Sequence, residues 1–191
     1  MTVFTRIVLT LALILAWASA WAAPQSYLLD RDRSRVSFQY DLGDQPARGF
    51  FPVESAQVVL DLQQVARSSV DVTLSVRKGR AGDVFSTSAM KSESVLDASG
   101  HPTARFVSQK VRRKWQGAEV EGLLTLRGVT RPATVQVRII REPDAPKDNS
   151  QLVLEITGSL SRSAFGATGY QNLVGDQIDL KFFVWINRAE E

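Results

Sequence analysis

Strict alternation of apolar and polar residues, repeated along most of the chain, is the feature that most limits what this sequence can become. Val36, Phe38, Tyr40 and Leu42 alternate with Ser37, Gln39 and Asp41, and Val70, Val72, Leu74 and Val76 alternate with Asp71, Thr73 and Ser75. Successive side chains of a strand point to opposite faces, so a period of two marks sheets with one face buried and one face wet. Further apolar rows are Val58, Leu60 and Leu62; Val120, Gly122, Leu124 and Leu126; and Val135, Val137 and Ile139. Two more, Leu152 to Leu160 and Ile178 to Ile186, close the chain.

Between the rows stand Gly43-Asp44 with Pro46, Gly79 and Gly82, Gly100 with Pro102, Gly117, Gly128, Pro143 with Pro146, and Gly175-Asp176. Such short breaks suit hairpins, and no long amphipathic helix separates the rows, so an all-β antiparallel barrel or sandwich is expected over a parallel α/β sheet. With Arg105 to Lys114 counted as a strand, the total is about eight, enough to close a small barrel. In that strand neither Ala104, Phe106 and Ser108 nor Arg105, Val107 and Gln109 is cleanly apolar, so the pattern leaves its inward face unassigned.

Arg77 to Thr103 is far longer than a hairpin connection and contains Val84, Phe85, Ala89, Met90, Val95 and Leu96. It is expected to form one or two short helices over a barrel end. They either plug the core or cover a ligand entrance.

The first residues have another character. Arg6, the apolar run Ile7 to Trp17 and the small residues Ala20 and Ala22 have the layout of a secretory signal peptide cut before Ala23, with a cut before Trp21 as second choice. An uncleaved anchor is the alternative, since Ile7 to Ala23 is at the short limit of what crosses a bilayer. The expected organisation is a signal peptide at 1–22 and one domain at 23–191, exported to the periplasm.

The remaining composition excludes several chemistries. There is no cysteine, hence no disulfide and no thiolate chemistry. The net charge of +3 falls to +2 without Arg6, too small a surplus to indicate nucleic-acid binding, and the run Arg112-Arg113-Lys114 before Trp115 reads as a solvated strand end. The single histidine, His101, precedes Pro102 in a turn context and is a poor centre for a triad or a metal site. No two glycines stand four apart, so the nucleophile-elbow pattern is missing. Glu119 and Glu121 share the wet face of their strand and read as surface acids. No catalytic residue, metal site or cofactor is expected.

Against this background, the stretch Gly122 to Val135, GLLTLRGVTRPATV, resembles the hallmark segment of the YceI family of bacterial periplasmic proteins. Arg162-Ser-Ala-Phe-Gly166 resembles the family's second signature, and Tyr27 to Phe38, His101 to Phe106 and Val174 to Ile178 support the match. Asp41 to Arg48 departs from it, where many members have a histidine and a longer hairpin. The resemblance implies a lipocalin-like barrel of about eight strands. Its apolar interior would hold a polyisoprenoid chain, such as that of an isoprenoid quinone or a polyprenyl lipid.

The candidate lining is Phe38, Tyr40, Leu60, Leu74, Leu124, Val137, Leu154, Ile156, Phe182 and Val184, with Phe85, Met90 and Phe165 near an opening. Three roles remain open at this level: a carrier or sequestering protein, an interaction module of the envelope or of a membrane redox system with a filled core, and an enzyme acting on an isoprenoid. Phe183 and Trp185, opposite Phe182 and Val184, suggest an outer contact such as a homodimer.

Overall fold

A computed structural model describes residues 24–143 and 145–189. The signal segment expected at 1–22 lies outside the described residues. The strands are β1 (Gln25–Leu29), β2 (Arg35–Leu42), β3 (Gln45–Leu60), β4 (Ser69–Ser75), the two-residue β5 (Arg80–Ala81), β6 (Thr103–Lys114), β7 (Gly117–Leu126), β8 (Val129–Ile140), β9 (Gln151–Ser161) and β10 (Val174–Arg188). One α-helix, α1 (Val84–Lys91), lies in the long connection between β4 and β6.

Pairing is antiparallel throughout and closes on itself: β10-β2-β3-β4-β6-β7-β8-β9, with β9 returning to β10. The result is a closed eight-stranded barrel. β1 occupies the same stave as β2, pairing with the far end of β10 through Tyr27–Arg188 and of β3 through Gln25–Leu60. The turn between β1 and β2 interrupts that stave. Asp30 Oδ1 accepts the backbone N–H groups of Asp32 and Arg33 there, and the buried Ser34 hydroxyl accepts the Trp185 N–H of β10 at 3.0 Å. A ladder donor that the interruption strands is thereby satisfied.

Two strands differ from the alternation pattern, each for a visible reason. In β6 the register against β7 shifts between Ser108 and Lys110. This bulge turns the strand over, so Ala104 and Val111 are both buried although an unbroken strand would put them on opposite faces. β3 extends well upstream of the row around Val58, beginning directly after the turn at Gly43 and Asp44, with Pro46 paired to Asp41. Its inner positions there include Ala47 and Gly49, too small to produce an apolar row.

The barrel interior divides into two halves. In one, Tyr27, Val58, Leu152, Leu154 and Ile186 are buried and Leu29, Ala56, Leu60, Val70, Val137, Ile156 and Val184 pack against them. The other half is built around Phe38, Tyr40, Val76, Met90, Leu96, Leu126 and Phe165. On the outside, Asp71 pairs with Arg105 at 2.5 Å, Arg138 with Glu155, and Arg112 with Glu119 and Glu121. Trp185 is half-buried beneath the Arg33 guanidinium, 4.7 Å from the ring centroid, while Phe183 is exposed.

Candidate functional site

The second half of the barrel is hollow. A cavity of about 360 Å³ opens there, within the range of roughly 300–1,000 Å³ usual for small-molecule sites. Its sides are the inner rows of the strands: Val36, Phe38, Tyr40 and Leu42 of β2, Phe51 of β3, Leu74 of β4, Leu124 and Leu126 of β7, Leu160 of β9, and Ile178 and Leu180 of β10. Ala81 and Ala104 are also on the wall, and their short side chains help leave the space unfilled.

One wall is aromatic. The Phe38 and Phe51 rings stack with centroids 4.9 Å apart, and Tyr40 follows at 6.0 Å from Phe38. The tip of the Phe38 ring closes on Gly49 of the adjacent strand, where a Cβ would stand 2.2 Å from Phe38 Cζ and 2.5 Å from the Arg80 carbonyl oxygen. Glycine is the residue that permits this approach. The Tyr40 hydroxyl donates to the Ala81 carbonyl at 3.4 Å.

Two segments cover the open end. The first is α1, whose N-terminus is capped by Asp83: Oδ1 accepts Phe85 N–H at 2.7 Å and Ser86 N–H at 3.0 Å, and Oδ2 accepts the Ser86 hydroxyl at 2.8 Å. These bonds, that of Ser86 N–H first, hold the Asp83 carboxyl below the usual carboxylate range. The helix so fixed points Met90 into the interior and leaves Phe85 at the mouth, 87% exposed although it lines the cavity. The second is the segment between β9 and β10, which contributes Ala167, Gly169, Tyr170 and Leu173, followed by Val174 at the start of β10. Tyr170 and Leu173 are likewise exposed, so three apolar side chains ring the opening.

Arg162 anchors that second segment. Its guanidinium donates to the carbonyls of Gly175 (3.0 Å), Ala167 (2.6 Å), Gly169 (2.8 Å) and Val174 (2.9 Å). It is the charged residue of the cavity wall and is only 5% exposed. Burial pushes its pKa below the ordinary arginine range, and the Asp176 charge partly opposes this from a distance. Asp176 itself is held low by hydrogen bonds, first from the Ser161 hydroxyl and then from the Ser163 N–H.

Of the residues expected to line a cavity, Phe38, Tyr40, Leu74, Phe85, Met90 and Leu124 meet on its wall. Leu60, Val137, Leu154, Ile156 and Val184 belong to the hydrophobic cluster of the other half instead. Phe182, paired with Ile156, stands on β10 between Leu180 of the cavity wall and Val184 of the other cluster, and Phe165 is buried in the core at the end of the short turn after Arg162 and is not on the cavity wall. Phe51, Leu160, Leu180 and Arg162 also line the cavity and are absent from the candidate set. Leu160 and Leu180 stood in rows already recognised, whereas an arginine in a turn gives no sequence sign that it turns inward.

Groups with catalytic potential lie elsewhere. Glu119 and Glu121 are on the outer surface beside Arg112, with Lys114 3.2 Å from Glu119, and His101 packs against Gly128 with Asp97 at 3.9 Å. Among the described residues no three His, Cys, Asp or Glu side chains converge as a metal site, and no helix is long and apolar enough to cross a membrane.

Known proteins share both sequence and architecture with this chain. A UPF0312 protein of Enterobacter sp. (strain 638) is 25% identical over 172 residues, spanning 88% of each chain. The crystal structure of BcnA from Burkholderia cenocepacia superposes with a TM-score of 0.73 at 25% identity, over 83% of this chain and 99% of that one. A polyisoprenoid binding domain from Saccharophagus degradans has the same fold, with a TM-score of 0.62 at 11% identity, over 86% of this chain and 99% of that one. The YceI-like domain matches residues 27–185, nearly the whole described barrel, and the chain therefore belongs to the YceI-like family.

Proposed function

We propose that this protein is a periplasmic binding protein that holds an apolar isoprenoid, quinone-like or polyprenyl, inside the barrel for transport, storage or sequestration. The observation that carries this reading is the hollow half of the barrel: about 360 Å³ walled almost wholly by apolar side chains and reached through a ring of exposed apolar ones. A cavity so lined rewards hydrocarbon and offers water little. At about 0.8 kcal/mol per buried CH₂, one five-carbon isoprene unit contributes roughly 4 kcal/mol before association costs. The likeness in fold to the polyisoprenoid binding domain of Saccharophagus degradans supports the ligand class, and the signal-like first residues support export. Binding and release need no covalent step, so the protein acts without catalysis, and the exposed Phe85, Tyr170 and Leu173 suit brief contact with the membrane that supplies the ligand.

The test is mass spectrometry of an organic extract from protein purified out of its native cell envelope. A stoichiometric isoprenoid is the expected result. Repeated recovery of empty protein, together with failure to take up added isoprenoids, would sink the proposal and favour an interaction module.

A further inference from the structure

A hydrocarbon store has no use for a buried cation on its wall, yet Arg162 is there, 5% exposed. Burying a guanidinium is costly unless its charge and its donors are answered. Its four hydrogen bonds all go to backbone carbonyls, and the Asp176 carboxylate acts on it only from beyond ion-pair distance. Nη1 has both its N–H groups engaged and Nε its one, but Nη2 uses a single N–H, on Val174, and keeps another without a protein partner. Carbonyl dipoles hold the group in place, and the more distant Asp176 offsets its charge only in part.

The position of this cation in the cavity sets a direction. Two of the carbonyls that Arg162 grips belong to Gly169 and Val174, which flank the exposed rim residues Tyr170 and Leu173. Arg162 therefore lies just beneath the mouth, whereas Phe38, Leu74 and Leu124 form apolar walls on the strands. Hydroxyls of Tyr40, Ser86 and Tyr170 are the other polar side-chain groups of the lining.

We propose that Arg162 is the head-group site of the cavity: the ligand is an amphiphile whose chain carries a hydrogen-bond-accepting oxygen, held best when anionic, with that oxygen at Nη2 under the mouth and the chain directed inward. This rests on the reading of the barrel as an isoprenoid holder and adds which end enters last and what chemistry that end has. A charge-assisted hydrogen bond in a dry site favours the oxygenated ligand over its plain hydrocarbon by about tenfold or more.

Displacement of the neutral fluorophore N-phenylnaphthylamine by farnesoic acid, farnesol and farnesane, which share one isoprenoid chain, provides the test. The expected order in the wild-type protein is acid tightest, alcohol next and hydrocarbon weakest, with the advantage of the acid shrinking as pH falls below its own pKa, about 4 to 5. Arg162→Gln should remove the preference for the acid while farnesane still competes, and Arg162→Lys should restore part of it. Should either variant fail to fold, the wild-type order decides by itself. Equal affinity for all three ligands overturns the head-group site and leaves the isoprenoid cavity standing; failure of every ligand and of the fluorophore to bind overturns the cavity as well.

Discussion

Placing one indole in each half of the barrel tests the division of its interior directly. Leu124 lies on the cavity wall, and Leu154 lies 7% exposed in the packed half. Leu124→Trp directs the added ring into a void of about 360 Å³, so it needs no displacement of neighbours, and the ring buries apolar area of its own. Its stability should stay within about 1 kcal/mol of wild type. Leu154→Trp forces the same ring into the buried cluster of Tyr27, Val58, Leu152 and Ile186, and overpacking of that kind costs about 1–3 kcal/mol. For a chain of this size that is a fall of roughly 2–4 °C in melting temperature per kcal/mol. Urea unfolding gives the stabilities, and N-phenylnaphthylamine fluorescence gives the binding. Leu124→Trp should lose binding and keep stability; Leu154→Trp should do the reverse. If both variants were destabilised alike, with binding unaffected in both, the barrel would be evenly filled and the reasoning wrong.

Other perturbations report on single contacts. Gly49→Ala should destabilise by about 1–3 kcal/mol in urea unfolding, because its methyl would overlap Phe38 Cζ and the Arg80 carbonyl, and the displaced ring should also lower fluorophore affinity. Phe85→Ser, at an 87% exposed position, should leave stability within about 0.5 kcal/mol of wild type but change the rate of ligand exchange measured by stopped flow. The Asp83 and Asp176 carboxyls have pKa values depressed in the folded state, so their contribution is present in full above the unfolded value near about 4 and is lost as pH falls through the folded values. Hydrogen exchange should accordingly show α1 and the Arg162–Val174 segment opening below about pH 4 before the packed half does. Asp83→Ala should produce the same loss of protection in α1 at neutral pH.

Much of the architecture is legible because inner and outer residues of a barrel alternate with a fixed period, and seven apolar rows state that period openly. The pattern fails where a physical cause hides it. The bulge after Ser108 reverses the faces of β6, and the inner residues Ala47 and Gly49 leave the first half of β3 without a signal. The site is less legible than the fold. Leu124 and Leu154 are alike in type and in their strand alternation, yet one borders a void and the other a packed centre. What separates them is which side chains arrive from distant staves: Tyr27 and Ile186 fill one end, while Ala81 and Ala104 stop short in the other. That difference is a sum over many strands, and no single row contains it. Arg162 was hidden for another reason, since its inward turn is set by carbonyls of a segment that begins only five residues later.

Because the ladder runs unbroken from β9 back to β10, emptying the hollow uncovers no row of unpaired amides. An unloaded molecule thus keeps that seam shut while it waits for cargo, where an open-edged container would present two whole strands for its neighbours to pair with.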